Sequence, residues 1–128
     1  MKKLVFLLLA VMMLTACGQD TENDRELTYM NITAEEAKQI MDTEEGYIIL
    51  DVREQDEYDA GHNPGAILIP YTQIEAQAED QLTDKDQLIL VYCRSGRRSK
   101  IAADAIAELG YTNIKEFGGI LDWPYEVE

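Results

Sequence analysis

Leu88-Ile89-Leu90-Val91-Tyr92-Cys93-Arg94-Ser95-Gly96-Arg97-Arg98-Ser99 changes character at its cysteine. The first five residues form a short apolar, partly β-branched run, the pattern of a strand buried on both faces. After Ser99 the period changes. Ile101, Ala102, Ala105, Ile106 and Leu109 fall on one helical face, and Gly110 stands where a helix C-terminus takes glycine. The segment therefore predicts a strand-to-helix turn with Cys93 at its mouth. Such a turn aims backbone N–H groups and the positive end of the helix dipole at one point, where an anion is stabilised. A cysteine held there is favoured as thiolate, the nucleophilic form, and three of the chain's five arginines lie in the same loop.

Outward from this turn, apolar runs alternate with helical patterns. Leu27 to Ile32 reads as a short edge strand, and Thr33-Ala34-Glu35-Glu36 is a capping box opening a helix that buries Ala37, Ile40 and Met41. Tyr47 to Val52 is the next strand. Glu54 to Tyr58 predicts a short helix ending at Gly61, Ala66 to Ile69 a strand stopped by Pro70, and Thr72 to Leu82 a helix. Asn113 to Phe117 makes a last strand before Gly118-Gly119. Strands spaced by helices in this order predict an α/β fold, a mainly parallel sheet covered on both faces. Ligands of such sheets bind beyond the carboxyl ends of the strands, which is where Cys93 falls.

The amino end carries a different signal. Met1-Lys2-Lys3 is basic, and Leu4 to Leu14 is an uninterrupted apolar run of eleven residues, where a spanning helix needs about 20. That length predicts the core of a signal peptide, residues 1–16. Leu14-Thr15-Ala16-Cys17 resembles a bacterial lipobox, which makes Cys17 the expected site of lipid attachment and membrane anchoring on the extracytoplasmic face; an ordinary signal peptide cleaved after Ala16 is the alternative. The polar stretch that follows cannot bury itself, so residues 17–27 read as a flexible tether and residues 28–128 as one domain.

Charge narrows the partners. Removing residues 1–16 takes away Lys2 and Lys3 and no acid, leaving 9 basic against 25 acidic residues and a formal charge of −16. Such a surface argues against nucleic acid. With Cys17 lipidated, Cys93 is the sole thiol, so a dithiol redox role lacks its partner. His62 is the only histidine, and no metal site or cofactor is expected.

Asp51-Val52-Arg53, Glu57-Tyr58, Gly61-His62, Pro64-Gly65-Ala66, the Cys93 loop, Gly118-Gly119 and Trp123 together resemble the rhodanese domain over residues 28–126. The resemblance implies an α/β sandwich around a five-stranded parallel sheet. It also implies a cysteine, here Cys93, that accepts sulfane sulfur as a persulfide from thiosulfate, polysulfide or a persulfidated protein and passes it to a thiol or cyanide. Arg94, Ser95, Gly96, Arg97, Arg98 and Ser99 would then cradle the transferred sulfur or the bound anion, with Arg94 and Arg98 the expected substrate-facing cations. Asp51 and Arg53 brace the active loop or form a simple ion pair. His62, in a run of turn formers, is expected to stabilise its turn rather than act as a base. Trp123 and the two glycines are expected to cover the core at the sheet edge. Asn63 departs from the family, which has an apolar residue there, and is expected to loosen the packing.

Two rival functions use the same architecture. Cysteine phosphatases of a related fold place an arginine six positions after the nucleophile; here that position is Ser99, and the loop suits a smaller sulfur-bearing anion. A non-catalytic interaction or redox-sensing module is the other, and retention of Cys93 argues for chemistry.

Overall fold

Thr33 accepts the Glu36 N–H at 3.0 Å while the Glu36 carboxylate accepts the Thr33 N–H at 2.9 Å, closing the capping box that the sequence predicts. A cap of this kind is worth about 1 kcal/mol. It opens α1 (Ala34–Thr43), which buries Ala37 fully and lays Ile40 and Met41 part-buried against the core. The computed structural model describes residues 28–128, so the expected signal peptide, the expected lipidation site Cys17 and the expected tether lie outside the described residues.

Five strands form one parallel sheet: β1 (Met30–Asn31), β2 (Ile48–Asp51), β3 (Ile67–Leu68), β4 (Ile89–Cys93) and β5 (Ile114–Gly119), in the order β1-β5-β4-β2-β3. Three further helices connect them: α2 (Gln55–Ala60), α3 (Ile74–Gln81) and α4 (Arg97–Glu108). The central strand β4 is buried at every residue, as its continuous apolar run requires. Its alternate side chains divide between two cores. Ile89, Val91 and Cys93 pack with Leu50, Ile74, Ala102 and Ile106 under α3 and α4. Leu90 and Tyr92 pack with Ala37, Ile49, Phe117 and Trp123 on the opposite face, beneath α1. Each such aliphatic or aromatic side chain contributes roughly 1.5–3 kcal/mol by leaving water.

Several expectations are corrected. The fourth helix begins at Arg97 rather than Ser99, and its buried face is Ser99, Ala102, Ala103 and Ile106. Ile101 is exposed, because at 100° per residue it points away from that face, while Ala103 takes the place expected for it. The third helix is preceded by a 3-10 turn over Tyr71–Gln73, imposed by Pro70 and the bond from Gln73 N–H to the Pro70 carbonyl at 2.7 Å. Finally, β5 is an interior strand between β1 and β4 and runs through both glycines. Its pairing with β4 shifts by one residue between Val91–Glu116 and Cys93–Gly119. An extra residue in β5 makes a bulge there, so Gly118 and Gly119 lie beside the cysteine rather than at the sheet edge.

Candidate functional site

Cys93 is the last residue of β4 and is buried, and Gly96 three residues later caps α4. Gly96 has φ 104, a left-handed conformation that costs a side chain and that glycine adopts freely, so the chain can turn from strand to helix within three residues. The turn brings the Gly96 N–H to 3.0 Å from the Cys93 sulfur. The Ser99 hydroxyl lies 3.4 Å from it on the other side. Behind them, the first-turn N–H groups of α4 have no intrahelical acceptor and face the same end of the sheet as the thiol.

Gly119 sets the floor. A β-carbon there would overlap the Arg94 carbonyl and come within 2.6 Å of the Ser95 Cα, so only glycine lets the bulged strand approach the loop. The Arg94 carbonyl in turn accepts the Leu121 N–H at 3.2 Å, tying the loop to the segment after β5. The sequence expectation of positive φ or close approach holds for the pair, Gly118 at φ 88 and Gly119 by contact.

The three loop arginines are not equivalent. Arg94 and Arg97 are exposed, with Ser95 between them. Arg98 turns to α2, where its guanidinium makes two parallel bonds to the Glu57 carboxylate at 2.8 and 2.9 Å. Arg98 holds the Glu57 carboxyl down to about 2, well below the usual carboxylate range. The guanidinium of Arg98 is itself pushed up, chiefly by Glu57 and in part by the charge of Cys93.

Asp51 and Arg53 realise the ion-pair alternative, buried in full. Arg53 donates to Asp51 through Nε and Nη2, the latter at 2.6 Å, and also to the Gly61 carbonyl at 2.7 Å. The Tyr92 hydroxyl donates to Asp51 at 2.6 Å and accepts the Asn63 N–H at 3.0 Å. Burial, then the Asp51 carboxylate, push the Tyr92 phenol above its ordinary range. This network braces the Gly61 turn against β4 one residue before the nucleophile. His62 belongs to the same turn: its ring stacks on Tyr58 at 3.8 Å, its Nδ1 meets the Tyr58 carbonyl at 2.9 Å, and its backbone exchanges two hydrogen bonds with Glu128. Asn63 is fully buried, and neither polar atom of its side chain has a partner among the described residues.

One residue that the sequence did not single out stands at the site. Glu116 of β5 is 2% exposed, and its carboxylate accepts the Ser99 hydroxyl and, at 3.0 Å, the Gly118 N–H. The strand pattern gives Glu116 and Ile114 the same face, so a signal existed: an acid at an inward position of a buried strand. Among the described residues no group of three or more His, Cys, Asp or Glu side chains is arranged to hold a metal, and no helix is long and apolar enough to cross a membrane.

A parallel α/β sheet that presents a buried thiol at a helix N-terminus, beyond the carboxyl end of its central strand, defines the cysteine-loop class of α/β proteins. Within that class, the chain belongs to the rhodanese-like domain family, whose match covers residues 33–125. It is 34% identical over 112 residues to the "Putative sulfur carrier protein YrkF" of Bacillus subtilis, covering 87% of this chain and 60% of that one. It is 36% identical over 73 residues to thiosulfate sulfurtransferase PspE of Escherichia coli, covering 57% and 70%. Among solved structures, a rhodanese-related protein from Thermoplasma volcanium superposes with a TM-score of 0.68 at 28% identity, covering 78% of this chain and 98% of that one. A structure described as rhodanese with anions from E. coli superposes at 0.60 and 32% identity, covering 64% and 96%.

Proposed function

We propose that this protein is a sulfurtransferase in which Cys93 carries sulfane sulfur as a persulfide. The observation that carries the reading is the sulfur of Cys93 beside the Gly96 N–H at the start of α4, a position that stabilises negative charge on either a thiolate or a persulfide. The names of its relatives, a thiosulfate sulfurtransferase and a sulfur carrier, agree with it. The Cys93 thiolate attacks the outer sulfur of thiosulfate. A new S–S bond forms, the old one breaks, and sulfite leaves with its electron pair. A thiolate or cyanide acceptor then attacks the outer sulfur of the persulfide and returns Cys93 as thiolate. Exposed Arg94 and Arg97 draw in the sulfonate end of the donor, Ser95 and Gly96 offer backbone donors, Ser99 supports the sulfur, and Arg98 stays with Glu57 as part of the cradle wall. A polysulfide or a persulfidated protein fits the same shallow cradle, and a protein thiol serves as acceptor on the same terms.

Location rests on the sequence before residue 28. The basic start, eleven-residue apolar run and Leu14-Thr15-Ala16-Cys17 support export and lipid attachment at Cys17, so that the domain works outside the cytoplasm on a tether. The Cys17→Ala chain should then leave the membrane fraction or accumulate uncleaved; a processed chain that stays in the membrane counts against the anchor.

Intact mass of the domain after incubation with thiosulfate tests the chemistry. One added sulfur on the wild type, lost in Cys93→Ser together with thiocyanate formation from cyanide, is the expected result. Cys93-dependent hydrolysis of an aryl phosphate faster than sulfur transfer would overturn the assignment in favour of a phosphatase.

A further inference from the structure

Glu116 is a buried carboxylate one hydroxyl group away from the nucleophile. Ser99 has a single proton to give and three acceptors within reach: the Glu116 carboxylate, the Gly96 carbonyl at 3.1 Å and the Gly118 carbonyl at 3.4 Å. The charged acceptor forms the stronger bond, so the hydroxyl points at Glu116 and keeps its lone pairs for the Cys93 thiol at 3.4 Å. The resulting chain runs from sulfur to hydroxyl to carboxylate.

We propose that Glu116 shares the proton of Cys93 through Ser99, so that the thiolate forms inside a site whose total charge does not change. In this step the Cys93 S–H bond breaks and its proton passes to Ser99 Oγ. The original Ser99 proton passes to Glu116 Oε2, leaving a thiolate, an unchanged serine and a neutral carboxylic acid. No oxidant or co-reactant is consumed. The reverse transfer restores the thiol.

Two features of the geometry favour sharing. Cys93 Sγ, Ser99 Oγ and Glu116 Oε2 form one continuous buried hydrogen-bonded chain, so a proton can pass along it without leaving the site. The half-exposed ammonium of Lys100 lies 3.3 Å from Glu116 Oε1, so the far oxygen of the carboxyl group sits beside a surface cation while Oε2 faces Ser99 and Cys93 is covered. The charged and titratable groups around Glu116 are Lys100 from α4, Cys93 from β4 and Tyr29 from the segment before β1, with Asp104 of α4 beyond Tyr29. The Tyr29 phenol is raised by burial first and by the two acids next, which takes it out of the range in which a thiol and a carboxyl exchange a proton. Glu116 acts through Ser99 and touches no donor sulfur, which makes it a positioning residue. Its use in turnover rests on the sulfurtransferase reading, whereas the proton sharing does not.

The test is the pH profile of Cys93 alkylation by iodoacetamide, a neutral reagent, in the full chain with Cys93 followed by peptide mass. Wild type should rise in two waves, the lower from the shared-proton state and the upper from loss of that last proton. Glu116→Gln keeps the shape and the acceptor for Ser99 but takes no proton, and should rise in one wave. Ser99→Thr, which keeps the hydroxyl, should retain two waves, and Ser99→Ala should lose the lower one. Identical profile shapes in wild type and Glu116→Gln would overturn the proposal. Should Glu116→Gln fail to fold, the serine pair decides: Thr and Ala behaving alike overturns it, Thr alone keeping two waves supports it. Because alkylation needs no sulfur donor, two waves in a protein that gains sulfur from neither thiosulfate, polysulfide nor a persulfidated protein would sink the sulfurtransferase reading and leave proton sharing standing.

Discussion

Glu57 and Arg98, forty-one residues apart in the chain, are joined by two parallel bonds of 2.8 and 2.9 Å that fasten α2 to the first turn of α4. The pair removes a cation from a helix N-terminus, where the dipole disfavours it, by neutralising it locally. Both side chains are about one-fifth to one-quarter exposed, so the bond is screened in part, and its contribution is about 1 to 2 kcal/mol at neutral pH. The sign with pH follows from Glu57. Its carboxyl lies at about 2 in the folded chain against 4.5 ordinarily, so the stabilisation is complete above 4.5 and disappears as pH falls through 2. Urea midpoints of wild type and Glu57→Gln should differ at pH 7 and converge between pH 4.5 and 2. A gap that keeps its size down to pH 2 would show that the ion pair contributes nothing.

Gly119 carries a steric prediction. Alanine at this position overlaps the Arg94 carbonyl, and both partners are backbone, so neither can swing aside. Gly119→Ala should destabilise the domain by about 3 kcal/mol, or displace the loop and abolish persulfide formation. Gly65→Ala is the comparison. Gly65 has φ 84, yet no atom lies within contact of its β-carbon, so its loss should be about 1 kcal/mol and leave persulfide formation intact. Equal effects of the two substitutions in thermal melts and in sulfur loading would refute the close-approach argument.

The Asp51–Arg53–Tyr92 network should behave as a buried charge pair does. Removing one partner leaves the other charged and unpaired, so Asp51→Ala should cost about 3 to 5 kcal/mol. Tyr92→Phe takes away the donor to Asp51 and the acceptor of the Asn63 N–H but no charge, and should cost about 1 to 3 kcal/mol. Denaturation midpoints in that order are expected. Tyr92→Phe proving the more damaging would mean that the hydroxyl, and not the ion pair, holds the Gly61 turn.

What could be read from the chain divides along a physical line. The parallel sheet, the capping box at Thr33, the strand-to-helix turn and Cys93 at its mouth all follow from local periodicity and turn chemistry. Glu57–Arg98 and Ser99–Glu116 are contacts between distant segments, and no period within α2, α4 or β5 encodes them. The bulge in β5 was hidden for a related reason. Whether Gly118-Gly119 ends a strand or continues it depends on the register against β4, which is a property of the pair. Ile101 stands at one edge of the face that the periodicity of Ile101, Ala102, Ala105, Ile106 and Leu109 predicts, and the buried face of Ser99, Ala102, Ala103 and Ile106 is rotated away from it, a rotation that packing against the sheet sets and the helical period does not.

Asn63 gives the last prediction. Its backbone is fully used, the N–H bonding the Tyr92 hydroxyl and the carbonyl accepting the Ala66 N–H at 3.0 Å. Its side chain is not. Complete burial with no protein partner for either amide atom costs about 1 to 3 kcal/mol, because the protein supplies no hydrogen bond to replace those made to water in the unfolded chain. The departure from an apolar residue thus acts by desolvation, not by exposing a loosened turn. Asn63→Leu, closest in shape among apolar residues, should keep both backbone bonds and raise the thermal midpoint by several degrees. Asn63→Val, smaller and therefore free of overpacking, guards against a steric failure of leucine. If both variants melt below wild type, the amide is satisfied in solution by an internal water, and the apparent frustration at this position is not real.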